Sequence, residues 1–188
     1  MAIEVELARR LWSVDEYQRM VDTGILTKQD RVELVHGEIV HMAPIGHVHA
    51  AAVASVLALF IRRLEDHAVV WSQGSLPLPP QSMPGPDVLV LRPRPDFYRG
   101  AAPRAEGVVL VIEVADSSFR YDRLVKMPLY AAAGVPEAWV VDVEGRRIET
   151  YRQPREGAYA HVRAFARDAL VIPAAFPELA IPVAQIVG

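Results

Sequence analysis

Three side chains in this sequence have the types and spacing to do chemistry together: the aspartate of Pro86-Asp87, the glutamate of Val111-Ile-Glu-Val114, and Lys126, thirteen residues after that glutamate. Two carboxylates with a main-chain carbonyl nearby are hard oxygen donors. They suit Mg²⁺ or Mn²⁺ and leave coordination positions for water and a phosphate oxygen. An ammonium beside them orients an attacking water or stabilises charge developing on a scissile phosphate. Of the 20 basic residues, 18 are arginine and only Lys28 and Lys126 are lysine, so the lysine at 126 points to a need for a compact ammonium.

Such a site needs elements that bring distant residues together. Asp87–Leu91 and Val108–Val114 read as strands, the second apolar on both faces and therefore central. If they pair antiparallel, the start of the first lies beside the end of the second, and both carboxylates reach one edge of the sheet. Setting Asp87 opposite Glu113 also sets Leu91 against Val109, apolar against apolar. Ser117 or Ser118 can cap a helix running to about Ala133, with Gly134 as its stop and Pro128 as an internal kink. That helix would carry Lys126 back over the strand ends.

The remaining elements complete an α/β layer architecture. Ser13 and Glu16 form a capping box for a short helix ending near Gly24, and Arg31–Met42 is a β-hairpin hinged at His36-Gly37. A mostly buried helix is expected from about His47 to Asp66, then a strand at Ala68–Ser72 and a Pro-rich loop at Leu76–Pro86. Beyond the Lys126 helix lie a strand at Glu137–Val143 and an outer hairpin of Arg146–Arg152 with Tyr159–Phe165. The order is an αβββαβ mixed sheet flanked by hairpins. It makes one domain over 1–188: an N-terminal helical segment to residue 30, hairpin plus core over 31–143, and a C-terminal hairpin and tail from 144.

Composition narrows the function classes. With 188 residues and 52% hydrophobic content the chain can bury one ordinary core. The absence of cysteine excludes disulfides, thiolate metal sites and a cysteine nucleophile, and agrees with a cytoplasmic setting. Met1–Arg10 has no apolar core of a signal peptide, and the longest apolar run, Ala50–Ile61, is shorter than the roughly 20 residues of a membrane span. A net charge of -3 gives no general attraction for nucleic acid, although a carboxylate metal site accounts for part of it.

Each candidate also has a plain structural reading. Asp87 after proline can be a turn residue, Lys126 can pair with Asp122 at i,i+4, Glu33 can be a solvated hairpin residue, and Asp142 can end a strand. Glu113 is harder to explain away, because a carboxylate inside an apolar strand is costly to bury without a partner or metal. His41, His47 and His49 offer a weak zinc alternative; residues two apart on a helix face different ways, though His49 can line the mouth of the site.

Pro86-Asp87, Val111–Val114 and the run Asp122–Tyr130 with Lys126 inside it resemble the PD-(D/E)XK nuclease superfamily. More closely, the chain is similar to a bacterial restriction-endonuclease-like family. The matching segments are Glu33-Leu-Val-His-Gly-Glu38, Asp87, Glu113 to Ser118, Asp122/Lys126/Tyr130, and Gly134 to Asp142. The match covers most of the chain from Arg31 onward. The resemblance implies a restriction-endonuclease-like fold with Asp87 and Glu113 as metal ligands, to which the carbonyl of Val114 is added. It implies Lys126 as a lysine migrated to the helix, since Ala115 occupies the superfamily's usual lysine position, and Glu33 as a supporting carboxylate. The expected activity is a Mg²⁺- or Mn²⁺-dependent endodeoxyribonuclease acting on DNA as a homodimer, one site per strand. The alternative is a nuclease-fold DNA- or metal-binding protein without hydrolysis.

Overall fold

The computed structural model describes residues 9–27, 29–72 and 74–188. Most of the expected signal-free N-terminus, and Lys28, lie outside the described residues. Helix α1 (Val14–Asp22) starts at a complete Ser13–Glu16 capping box. The hairpin follows as β1 (Val32–Val35) and β2 (Glu38–His41), with Val35 opposite Glu38 and both turn residues, His36 and Gly37, at positive φ. That conformation fits the right-handed twist of the flanking strands.

Helix α2 (His47–Leu64) leads to β3 (Val69–Ser72), β4 (Val88–Leu91) and β5 (Val108–Ala115). After β5 come α3 (Phe119–Tyr121), a π-helical turn at Asp122–Lys126 and α4 (Met127–Ala132), without a break. Then follow β6 (Glu137–Asp142), β7 (Arg147–Arg155) and β8 (Ala158–Ala166). One six-stranded mixed sheet results, in the order β3-β4-β5-β6-β7-β8. β5 and β6 are parallel, joined by the helical crossover over 119–132, and the other neighbours are antiparallel. The αβββαβ core is the expected one. The C-terminal hairpin is continuous with it, because β7 pairs along β6 from Glu137↔Arg152 to Asp142↔Arg147. A short pair, β9 (Leu170–Val171) with β10 (Ile181–Pro182), and α5 (Ala184–Val187) close the chain.

The central strand has two dry faces, and its alternation sorts them. Leu110, Ile112 and Val114 join Val88, Val90, Trp139 and the inner side of α2 in one core layer. Val111 and Ala115 join Leu89, Ala138, Val140 and the α4 residues Leu129 and Tyr130 in the other. Glu113 has the parity of the second layer and so points toward the crossover helix.

Three expectations are corrected. Leu91 pairs with Val108 rather than Val109, because a β-bulge between Val90 and Leu91 shifts the register at the end of β4 remote from Asp87. Helix α2 is not mostly buried: Ala52, Val56, Leu59, Phe60 and Leu64 face the sheet, whereas Ala50, Ala51, Ala54, Ala58 and Ile61 stay exposed. With its following turn that helix spans His47–His67, 21 residues at a mean hydropathy of 1.3, longer than the apolar run read from sequence and sufficient in length and composition for a membrane span. Its inner face packs on the sheet, as a core helix does. Lastly, the break expected at Pro128 falls one turn earlier. The Met127 N–H bonds to the carbonyl of Asp122, five residues back, and Pro128 sits at the start of α4, where a missing N–H costs little.

Candidate active site

Asp87 immediately precedes β4, where Val88 pairs with Ile112; continuing the register by one residue sets Asp87 opposite Glu113. The two carboxylates thus share a sheet face and an end of their strands. Asp87 is anchored on both oxygens: the Val114 N–H donates to Oδ2 at 2.7 Å, and Nε2 of His49, at the start of α2, lies 3.0 Å from Oδ1. Contact with Asp87 holds the His49 imidazole above its ordinary pKa, against the opposing effect of burial.

From the other layer the crossover helix supplies Asp122, Lys126 and Tyr130, four residues apart on one side. The Lys126 ammonium lies 3.2 Å and 3.3 Å from the two oxygens of Glu113, 3.5 Å from Glu33 and 3.9 Å from Asp122. The Tyr130 hydroxyl donates to Oε1 of Glu113. Glu33 enters from the hairpin and accepts from the Tyr121 hydroxyl at 3.0 Å and the Gly85 N–H at 3.1 Å. Ser118 donates to Asp122 at 2.6 Å. Glu33, Glu113, Asp122 and Lys126 are all buried.

Acids outnumber cations in this cluster, and its titration reflects that. Burial pushes Glu113 well above the usual carboxylate range; Lys126 pulls it back, while Asp122 and Asp87 raise it again. Burial lifts Asp122 to about 6 against the pull of Lys126. Burial alone would lower Lys126, but Glu113, Glu33, Asp122 and Asp87 together hold it above its ordinary value, fully charged. Such groups titrate as a unit.

Asp87, Glu113, Glu33, Asp122, Lys126 and His49 line one cleft of about 340 Å³, together with Val114 and Asp116, and Tyr130 is fully buried outside that lining. The family model described as "Uma2: Putative restriction endonuclease" matches residues 14–184, nearly the whole described chain. The chain belongs to the Uma2 family. A solved structure from Anabaena variabilis ATCC 29413, described as "a putative nuclease belonging to DUF820", superposes with a TM-score of 0.72 at 16% identity, covering 93% of this chain and 97% of that one. At that identity the likeness bears on the fold, a restriction-endonuclease-like mixed sheet. No curated protein matches the chain.

Within this Uma2 fold the four residues singled out from sequence, Asp87, Glu113, Lys126 and Glu33, meet in the cleft, and the Val114 main chain lies beside them. Asp142 caps its strand, accepting from the Gly145 N–H at 2.8 Å and from Arg147 at 2.9 Å. The histidines do not converge. His41 and His47 are exposed, and His49 alone contacts Asp87, so the zinc alternative has no ligand set among the described residues. Sequence reasoning missed Tyr121, the Tyr130–Glu113 contact and the His49–Asp87 contact. The i,i+4 spacing of Lys126 and Tyr130 was the one available signal for the second.

The donor chemistry fits a divalent cation. Asp87, Glu113 and the Val114 carbonyl offer hard oxygen donors, and a buried surplus of carboxylates over ammonium is what a dication would neutralise. Among the described residues no three His, Asp or Glu side chains already stand at metal-ligand spacing. Any ion would therefore depend on the carbonyl and on water as well.

Proposed function

We propose that this Uma2 protein is a divalent-metal-dependent endodeoxyribonuclease. In this reading Asp87, Glu113 and the Val114 carbonyl hold Mg²⁺ or Mn²⁺, Lys126 acts on the water or scissile phosphate, and Glu33 orders the surrounding shell. The observation that carries it is the reach of Lys126, thirteen residues beyond Glu113, to 3.2 Å and 3.3 Å from that carboxylate's two oxygens. A nuclease with Ala115 at the usual lysine position needs a lysine at this point in space.

When bound, the ion supplies Lewis-acid polarisation of a phosphodiester oxygen and eases deprotonation of water. The chain's residues do the remainder. Lys126 holds its proton firmly, so it serves as a hydrogen-bond donor and a positive charge rather than as a base. Tyr130 fixes one oxygen of Glu113, and the Val114 N–H fixes one oxygen of Asp87, so each acid presents a set orientation. Tyr121 and Gly85 hold Glu33 against the same ammonium. The reading carries with it a DNA substrate, a homodimer with one site per strand, and a cytoplasmic setting.

The test is cleavage of supercoiled plasmid by purified protein with Mg²⁺ or Mn²⁺. The wild type is expected to cut, EDTA to stop it, and Asp87→Asn and Glu113→Gln, with circular dichroism unchanged, to lose at least about 100-fold in rate. Undiminished cutting by both variants excludes the proposal. One observation favours a second reading, a nuclease-fold protein that binds metal or DNA without hydrolysis: Lys126 is already enclosed by three carboxylates, as in a purely structural ion cluster. Mn²⁺ or DNA binding with no cutting across linear, supercoiled and single-stranded substrates would select it.

A further inference from the structure

We infer that Arg31 grips the phosphate next to the scissile one and so fixes the path of the substrate strand across the mouth of the cleft. The inference rests on the nuclease reading above and adds to it a substrate-binding residue outside the Asp87, Glu113, Lys126 and Glu33 set.

The charges of the cleft are unevenly used. Among the described residues that line it, Arg31 and Lys126 supply the arginine and lysine charge, against the acids Glu33, Asp87, Glu113, Asp116 and Asp122. Lys126 is 7% exposed and already meets three of those carboxylates within 3.9 Å. A polyanion that enters past so many acids needs a cation not yet committed to them. Arg31 is that cation: it is partly exposed, and no ion pair among the described residues includes it. Its Nη2 donates to the Ala43 carbonyl at 2.8 Å, which sets the direction of the side chain. The other N–H donors of the planar fork can then serve a phosphate.

The position of Arg31 suits a neighbouring phosphate rather than the reacting one. Arg31 and Glu33, two residues apart, line the same cleft, and the Met42 N–H donates to the Arg31 carbonyl at 2.8 Å, just beyond the Val32↔His41 pair at the open end of the hairpin. Glu33 is buried and lies 3.5 Å from the Lys126 ammonium, so Arg31 stands further out, toward solvent. Beside it the lining continues with Met42, Pro44 and Ile45, the last 54% exposed. A guanidinium next to an apolar wall matches a phosphate next to the sugar and base of its nucleotide.

The experiment measures binding of a fluorescein-labelled single-stranded deoxyoligonucleotide to the full-length protein by anisotropy, in EDTA to prevent cutting and over a range of salt. Arg31→Gln keeps a donor for the Ala43 carbonyl but no charge. It should bind about 10-fold more weakly. Its slope of log affinity against log salt should become shallower by about 0.7, the share of one phosphate on a single strand, which a merely structural role would not change. Arg31→Lys should keep the slope and lose part of the affinity. In Mn²⁺, Arg31→Gln should raise KM and leave kcat near the wild-type value. The oligonucleotide should also shield Arg31 of the wild type from phenylglyoxal, read by mass spectrometry, a measurement that stands even if a variant fails to fold. An unchanged salt slope or an unchanged KM in Arg31→Gln, or undiminished labelling of Arg31, overturns the clamp and leaves a wild type that cuts as a nuclease. Arg31-dependent binding without cutting keeps the clamp and overturns hydrolysis. A wild type that neither binds nor cuts overturns both.

Discussion

Replacing Lys126 with methionine tests whether the cleft is the charge cluster described. The lysine side chain is 7% exposed and its carboxylate partners Glu113, Glu33 and Asp122 are 2%, 3% and 4% exposed, so no solvent replaces the ammonium when it is removed. Stranding buried charges in this way costs about 3–5 kcal/mol. At roughly 2–4 °C per kcal/mol for a chain of this size, the melting temperature should fall by about 6–20 °C at neutral pH. The deficit must depend on pH, with a sign that can be worked out. Asp122 already sits at about 6 and Glu113 well above the ordinary range, and Lys126 is the group pulling both down. Without it their folded-state values rise further. The folded variant then binds more protons than its unfolded chain, and it loses stability as pH rises through the interval between the two. Thermal melts at pH 5 and pH 8 should show a small deficit at the lower value and a large one at the higher. Adding Glu113→Gln to Lys126→Met should recover part of the loss, because one stranded charge is gone. A variant within 2 °C of wild type at pH 8, as an order-of-magnitude margin, or one equally impaired at both pH values, would refute the cluster argument.

Three further outcomes are expected. Tyr130→Phe leaves a buried oxygen of Glu113 without its hydroxyl donor and should cost about 1–3 kcal/mol in urea denaturation, with the Glu113 carboxyl displaced upward. Asp122→Asn should stabilise the protein above pH 6: between about pH 4 and 6 the unfolded chain ionises Asp122 while the fold still holds its proton, so the wild type loses stability across that interval, and asparagine removes that slope. The gain at pH 8 should be about 1–2 kcal/mol, since loss of the Ser118 bond and of a Lys126 partner offsets part of it. Gly37→Ala forces a side chain into φ +80° and sets a new Cβ 2.6 Å from Cβ of Leu11, so the hairpin that carries Glu33 should lose at least about 1 kcal/mol, measured by thermal melting.

The meeting of Asp87 and Glu113 was legible because antiparallel pairing brings the start of one apolar strand beside the end of the other, and setting the two acids opposite one another costs nothing in hydrophobic pattern. The β-bulge at Val90/Leu91 left no trace in that pattern, since Val108 and Val109 are equally apolar. Helix α2 misled for a related reason. Alanine marks good helix formation and costs little on either face, so the run from Ala50 to Ala58 does not say which side is dry. Glu33 could not be resolved locally. In Val-Glu-Leu-Val a glutamate looks solvated, and it is buried only because the Pro-rich loop closes over β1, with Met83 bridging to Leu34 and Gly85 donating to the carboxylate. His49 was beyond reach for the same reason, because its partner lies 38 residues away in another layer.

In the nuclease reading proposed above, Ala115 accounts for a lysine supplied by the helix. It shares a sheet face with Glu113, two residues along β5, is completely buried, and packs in the same layer as Met127, Leu129 and Tyr130 of α4. A long side chain at 115 would hold the crossover helix off the sheet. A methyl group lets that helix come down, and the π-helical turn ends at Lys126, just where the helix passes Glu113. The small residue on the strand and the lysine on the helix are therefore one arrangement. The close approach made possible at 115 brings the ammonium into reach, and the same approach removes the room a strand-borne lysine would need.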